Sequence, residues 1–434
     1  MALDNSIVQQ TNWTIKTVPI ANIASNDPLA WFRASSDADK WFWENPQNNI
    51  SWVGLGTANS YEIKKENRFE ESSKIAKSIL DKLVIEAPHN APLPRIVAGF
   101  SFEDTVQQGR WETFNRGRIV LPLVQILRIQ NRVWLSCTNK TTPLFPNSPA
   151  PEPVQPANVN PADWSLPTSR QHYRSLIKKA LTSIEKGELT KAVPCRNLNI
   201  PQKPDIPLLL ATLRNIYPGC TTFCVSQGEA TFVGATPECL VALSQGKLST
   251  TALAGSAPRS EDPTIDTAIG QSLLNSPKEK TEHNVVVKAI RGELEKLGLI
   301  VQHCSEPKLM RLHGIQHLYT PLNAELPPSI GILDVVGSLH PTPAVAGYPR
   351  SKAKELRSEH EGFDRGWFAG PVGWLDDEGN GEFRVALRSA LIDNYGTTLY
   401  AGAGVVRGSD PERELLETDM KLAAMLGPIM ATSI

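Results

Sequence analysis

The chain has 434 residues, enough for a large core and, on length alone, for two or three domains. It is 41% hydrophobic and 21% charged with a formal net charge of −1, the composition of an ordinary globular protein. That balance leaves no electrostatic footprint for nucleic acid or an anionic membrane, and no apolar run reaches the roughly 18 residues a membrane span needs.

The opening stretch MALDNSIVQQTNWTIK has neither the basic segment nor the apolar run of a secretory signal. Short strand-like runs follow, RIVAGFSF and NRVWLSCT, with one helical stretch between the start and them, EESSKIAKSILDKLVIE. Residues 143–164, PLFPNSPAPEPVQPANVNPADW, are too rigid and polar for a core and form a domain linker or a long surface loop. Helical periodicity resumes in SRQHYRSLIKKALTSIEKGEL. Then come strand-like TKAVPCRNLNI, TFCVSQGEATFVGA and CLVALSQGKLSTTALAG, the last two built around turn glycines. The long helix PKEKTEHNVVVKAIRGELEKLG is closed by Gly298, and HPTPAVAGYPRSKAKELRSEH follows it. The strands of WFAGPVGWLDDEGNGEFRVALRSALI turn at DEGNG, and TTLYAGAGVV is the last. Ser409 and Glu412 in SDPE read as a capping box opening the C-terminal helix. Helices and hairpins interleave without a βαβ rhythm, which predicts an α+β fold.

The six cysteines (Cys137, Cys195, Cys220, Cys224, Cys239, Cys304) are scattered, with no zinc-like spacing. Buried free thiols in a reducing cytoplasm are the expectation. Glu279 and Glu282 stand three apart on the long helix, and Glu414 and Glu417 three apart on the last. Two E-x-x-E pairs on two helices compose an oxygen cage of the kind Mg²⁺ prefers. The same spacing also fits two solvated faces, with Glu417 and Lys421 an ordinary i,i+4 pair. The glycines of YAGAGVV mark tight packing or a ligand against backbone, and no nucleotide-binding glycine motif is present. Lys191, Glu238 and Arg388 are lone charges in apolar strand contexts. They point outward, or they face one pocket, where Lys and Glu make a base and acid pair and Arg clamps a carboxylate.

The blocks TPECLVAL, TTALAGSAPR, KEKTEHNVV, IQHLYT, LHPTPAVAGYPR, RGWFAGPVGW, FRVALRSA, YAGAGVV and SDPERELLETDMK follow one another as in the chorismate-utilising enzymes. The chain resembles that family densely over residues 165–430 and loosely over 1–142. The family includes isochorismate synthase, salicylate synthase, and component I of anthranilate and aminodeoxychorismate synthases. The resemblance implies a single α+β domain over 1–434, a large antiparallel β-sandwich surrounded by helices, with 143–164 as a surface loop. It implies that Glu282 and Glu417 ligate Mg²⁺ and that Glu279 and Glu414 hold metal-bound waters. Arg388, Gly402 and Lys421 match positions that hold the carboxylates of chorismate, Gly255, Ser256 and Ala344 line the pocket, and His317 lies near the ring.

Water-adding members resemble this chain in carrying a lysine where Lys191 stands, since water needs a base and ammonia does not. Ala254 occupies the place where aminodeoxychorismate synthases carry a nucleophilic lysine, and HPTPAVAGYP departs from the P-A-G-T-x-S-G-x-P of the aminating enzymes. The resemblance therefore implies Mg²⁺-dependent isomerisation of chorismate to isochorismate, with Lys191 as base and Glu238 as acid. Salicylate synthase is the alternative and an aminating component I the second. A monomer without a glutamine amidotransferase subunit is implied. One departure is KAVPCR in place of K-V-V-L-A-R, where Pro194 removes a backbone donor and Cys195 replaces a small residue.

Overall fold

The computed structural model describes residues 12–20, 26–64, 66–105 and 107–433. Its described residues form one network of 19 strands and a separate two-stranded sheet. The strand Gly117–Ile129 is the junction. One edge pairs with Ile50–Glu62, and the other with Ile96–Phe100 and Arg132–Thr138.

From the first edge a sheet runs through Lys40–Asn45, Thr221–Gln227, Ala230–Thr236, Ser389–Asp393 and Gly396–Gly402 to Cys195–Ile200. From Ile96–Phe100 a second sheet runs through Pro371–Leu375, Gly381–Val385, Cys239–Ser244 and Lys247–Pro258 to Ile315–Glu325. All of these pairings are antiparallel.

Alternation along the strands builds two cores. Phe223, Val225 and Phe232 of the first sheet meet Val241, Val372 and Phe383 of the second in one cluster. Cys224 and Val233, pointing the other way, join a second cluster with the helices Pro28–Ala34, Ile206–Ile216 and Pro411–Thr432. The helices Pro277–Lys296 and Ile332–Leu339 pack on the second sheet. The result is the α+β sandwich with surrounding helices.

Three local expectations are corrected. EESSKIAKSILDKLVIE divides into the helix Arg68–Leu80 and the strand Leu83–Glu86, because Val84 and Ile85 pair in parallel with Trp13–Ile20. The C-terminal helix is capped by Asp410, whose Oδ1 accepts from Arg413 N at 3.0 Å. Pro411 takes the first helical position, where a missing N–H is harmless, and Ser409 Oγ accepts from Val406 N instead. TKAVPCRNLNI is interrupted at Val193 and Pro194, so Lys191–Ala192 pairs with Gly347–Tyr348 while Cys195–Ile200 pairs with Gly396–Gly402. The carbonyls released there accept from Arg365 Nη2 at 2.8 Å and Tyr173 Oη at 3.2 Å. Residues 143–160 carry no regular structure and lie against the helices, with Val154 N bonded to Thr212 Oγ1 and Ala157 N to Gly427 O.

Candidate active site

A cavity opens where both sheets meet the long helix (Pro277–Lys296) and the C-terminal helix (Pro411–Thr432). Glu238, Gly255, Ser256, Glu282, His317, Ala344, Arg388, Gly402, Glu417 and Lys421 all line it, drawn from segments far apart in the chain.

Lys191 lies behind the wall, wholly buried at 0% exposure. Ala192 holds it in place through reciprocal backbone bonds with Val405 at 2.9 and 2.8 Å. Its Nζ is 2.8 Å from Glu282 Oε1, an ion pair just behind the cavity. Burying an ammonium is costly, and the Glu282 carboxylate beside it offsets part of that cost.

Glu238 stands in the short link between Ala230–Thr236 and Cys239–Ser244. Its backbone is tied down by Val385 N donating to its carbonyl and by Thr236 Oγ1 accepting from its N–H. Thr342 Oγ1 reaches its carboxyl at 3.5 Å. Burial pushes this carboxyl up to about 7 against the pull of Lys191 and Lys421.

Arg388, expected within a strand, occupies the link between Gly381–Val385 and Ser389–Asp393 with φ 45°. Its carbonyl accepts from Ala235 N at 3.1 Å. That left-handed backbone turns its side chain into the cavity, where Nη2 meets His317 Nε2 at 2.9 Å. His317 Nδ1 is 3.0 Å from Ser256 Oγ. Burial, then the charges of Arg388 and Lys421, holds His317 well below the ordinary imidazole range, so the ring is neutral.

Gly255 makes the bulge that delivers Ser256, with φ +79°. That left-handed backbone favours glycine, and a Cβ there would also press on Glu279 Oε2 at 3.1 Å. Lys421 Nζ donates to Gly402 O at 2.8 Å and pairs with Glu417 Oε1 at 2.7 Å.

The four glutamates face one another across the two helices, and Glu414 (2%) and Glu282 (6%) are not solvated. Burial and then Glu417 raise Glu414 to about 7, while burial and then Glu282 raise Glu279. Burial alone would raise Glu417, but Lys421 pulls it below the ordinary value. Lys278 Nζ lies 3.0 Å from Glu414 Oε1 and 3.4 Å from Glu279 Oε1. Among the described residues no three carboxylate, imidazole or thiol groups converge on a point as metal ligands. The chemistry of the set nevertheless suits a hard dication: it is all carboxylate oxygen, sequestered, self-repelling and already attracting cations.

Four residues of the site are not among those picked out from the sequence. Gly404 lets Glu282 and Lys191 approach, since a Cβ there would collide with Glu282 Oε1. Thr342 touches Glu238. Arg365 is buried against the cavity, bonded to the carbonyls of Val345 and Val193 and paired with Glu361. Lys278 is the fourth. The doubled glycines of YAGAG and the threonine of HPTPA were the available signals for the first two.

No helix among the described residues is long and apolar enough to cross a membrane. The sequence model of the chorismate binding enzymes matches residues 6–430. The salicylate biosynthesis isochorismate synthase of Pseudomonas aeruginosa is 36% identical over 419 residues, covering 92% of this chain and 87% of that protein. The isochorismate synthase MenF of Bacillus subtilis is 30% identical over 438 residues, covering 94% and 92%. Among solved structures, the menaquinone-specific isochorismate synthase MenF of Escherichia coli matches with a TM-score of 0.77 at 25% identity, covering 98% of this chain and 97% of that one.

Proposed function

The chain belongs to the chorismate-binding enzyme family, and on that premise we propose that it is an isochorismate synthase, an isomerase converting chorismate to isochorismate. Relatives matched over nearly their full length carry that activity in their names. The observation that carries the reading is the burial of Lys191 against the wall residues Glu282 and Gly404 of the cavity that Glu238 lines, with the Glu238 carboxyl raised to about 7. A base and an acid are what replacement of one hydroxyl by another requires.

Arg388 and Lys421 hold the carboxylates of the dianionic substrate, and His317 orients Arg388. Lys191 as neutral amine takes a proton from water, whose oxygen adds at C2 of the ring. The ring double bonds shift, and the C4 hydroxyl leaves as water with the proton of Glu238. The pair ends as ammonium and carboxylate, so the reverse reaction uses the same two groups in exchanged roles. The reading assigns Mg²⁺ to Glu282 and Glu417 directly and to Glu279 and Glu414 through water. Bound there, the ion would engage the ring carboxylate and withdraw charge from the ring. The same reading has the enzyme act in the cytoplasm as a monomer, without an amidotransferase subunit.

Incubation with chorismate and Mg²⁺, followed by chromatography, tests the function. Isochorismate in a mixture that stops short of completion, with little pyruvate, is expected. Stoichiometric salicylate and pyruvate would reassign it to salicylate synthase.

A further inference from the structure

Lys278 belongs neither to the glutamate set nor to the substrate clamp, yet its ammonium sits between the two glutamate helices. It is 3.0 Å from Glu414 Oε1 on one and 3.4 Å from Glu279 Oε1 on the other. The remaining two acids are paired in the same way, Glu282 with Lys191 at 2.8 Å and Glu417 with Lys421 at 2.7 Å. Each carboxylate assigned to the dication therefore has a lysine at ion-pair distance.

We propose, resting on the Mg²⁺ assignment above, that Lys278 is an internal counter-cation that holds the acids together in the metal-free enzyme and competes with the incoming dication for Glu279 and Glu414. It is a positioning residue, acting on the glutamates and not on the substrate. Four sequestered carboxylates repel one another, and a tethered ammonium relieves that repulsion without capturing an ion from solution. Dication binding must first break the Lys278 contacts, so whatever they contribute is subtracted from the apparent metal affinity.

Lys278 is suited to leave. Its side chain is 33% exposed, so the displaced ammonium swings into water, whereas Lys191 at 0% has no such route. Lys280, two residues along the same helix, gives the contrast. It pairs with the exposed Glu306 at 3.5 Å and touches none of the four acids.

Calorimetric titration of Mg²⁺ into the full-length enzyme without substrate tests the idea, alongside melting in excess chelator. Lys278→Met should bind Mg²⁺ on the order of tenfold more tightly, the scale of one half-exposed ion pair removed from a cluster. Its metal-free form should melt below wild type, and Mg²⁺ should raise its melting temperature by more. Lys278→Gln should reproduce both shifts, and Lys280→Met should show neither. Wild-type or weaker Mg²⁺ binding by both Lys278 variants overturns the proposal, as does equal tightening in Lys280→Met. A wild-type enzyme that takes up no Mg²⁺ removes the metal assignment itself, which distinguishes that failure from the first.

Discussion

Arg388 Nη2 lies 2.9 Å from His317 Nε2, and this contact fixes the tautomer of the histidine. A guanidinium only donates, so Nε2 accepts and the ring proton resides on Nδ1, 3.0 Å from Ser256 Oγ. The Ser256 hydroxyl is then free to donate to Glu417, which also pairs with Lys421. A chain of bonds thus runs from Arg388, the proposed substrate clamp, to Glu417, one of the acids proposed to hold the metal.

Loss of His317 should release Arg388 from its orientation. His317→Ala is expected to raise KM for chorismate roughly 10- to 100-fold, the usual worth of an orienting partner, with a smaller fall in kcat. Arg388→Lys keeps the charge but loses both the fork and the bond to His317, and should be impaired at least as severely. Steady-state kinetics on both variants check this. A near-wild-type Arg388→Lys enzyme contradicts the clamp.

Removing divalent cations should abolish turnover, and Mg²⁺ should restore it. Glu282→Gln and Glu417→Gln, nearly isosteric with the acids, are expected to lose on the order of 10²-fold or more in kcat/KM while keeping a wild-type circular dichroism spectrum. Mg²⁺ should also raise the melting temperature of wild type by mass action. Full activity in excess chelator would end the metal assignment.

Gly404 offers a steric test. Its φ is not in the left-handed region, so alanine suits the backbone, but the added carbon would collide with Glu282 Oε1 and lie 3.1 Å from Lys191 Cε. Gly404→Ala should therefore keep a wild-type circular dichroism spectrum yet lose on the order of 10²-fold in kcat/KM, because a displacement of about 1 Å at a catalytic group costs that much. A fully active variant would mean that Glu282 and Lys191 do not need their mutual approach.

The acids were legible because helical spacing is local: three residues apart on one helix means one face wherever the helix packs. The ordered blocks made the fold legible in the same way. Lys278 was not, since its partner Glu414 is 136 positions away and no periodicity links the two. Arg388 looked like a strand residue because apolar neighbours flank it, and only its left-handed backbone reveals a link. Leu83 continues the apolar period of Ile75, Ile79 and Leu80, so periodicity alone assigns the strand Leu83–Glu86 to the helix before it.

The pH dependence follows from Glu238. Lys191 is ion-paired with Glu282 at 2.8 Å, so below about 7, where Glu238 is protonated, the pair is not competent. One proton must be lost before water can be activated, so kcat/KM should rise with pH, approaching tenfold per unit below about 7, and then flatten. The reaction neither takes up nor releases protons overall, so the profile from isochorismate should run parallel to that from chorismate. Initial rates in both directions measure it. A flat profile across this range, or rates that fall as pH rises through it, would remove Glu238 from the ionisation.

On the proposed mechanism, Lys191 separates water addition from the rest of the family's chemistry. Its side chain is too deeply placed to serve as a surface charge, and it is ion-paired with Glu282 inside the wall. Lys191→Ala should lower isochorismate formation by a factor on the order of 10²–10⁴, the usual worth of one proton-transfer group. Chorismate should still bind, since Arg388, Lys421 and the glutamates remain. Glu238→Gln keeps the shape and should fail to a similar degree, because an amide does not protonate a leaving hydroxyl. The double variant should then be little worse than either single one, as expected for two groups that act on one transition state. Losses that multiply would assign the residues to separate steps. Ammonia-dependent formation of an aminated product that survives Lys191→Ala would overturn the water-adding assignment altogether.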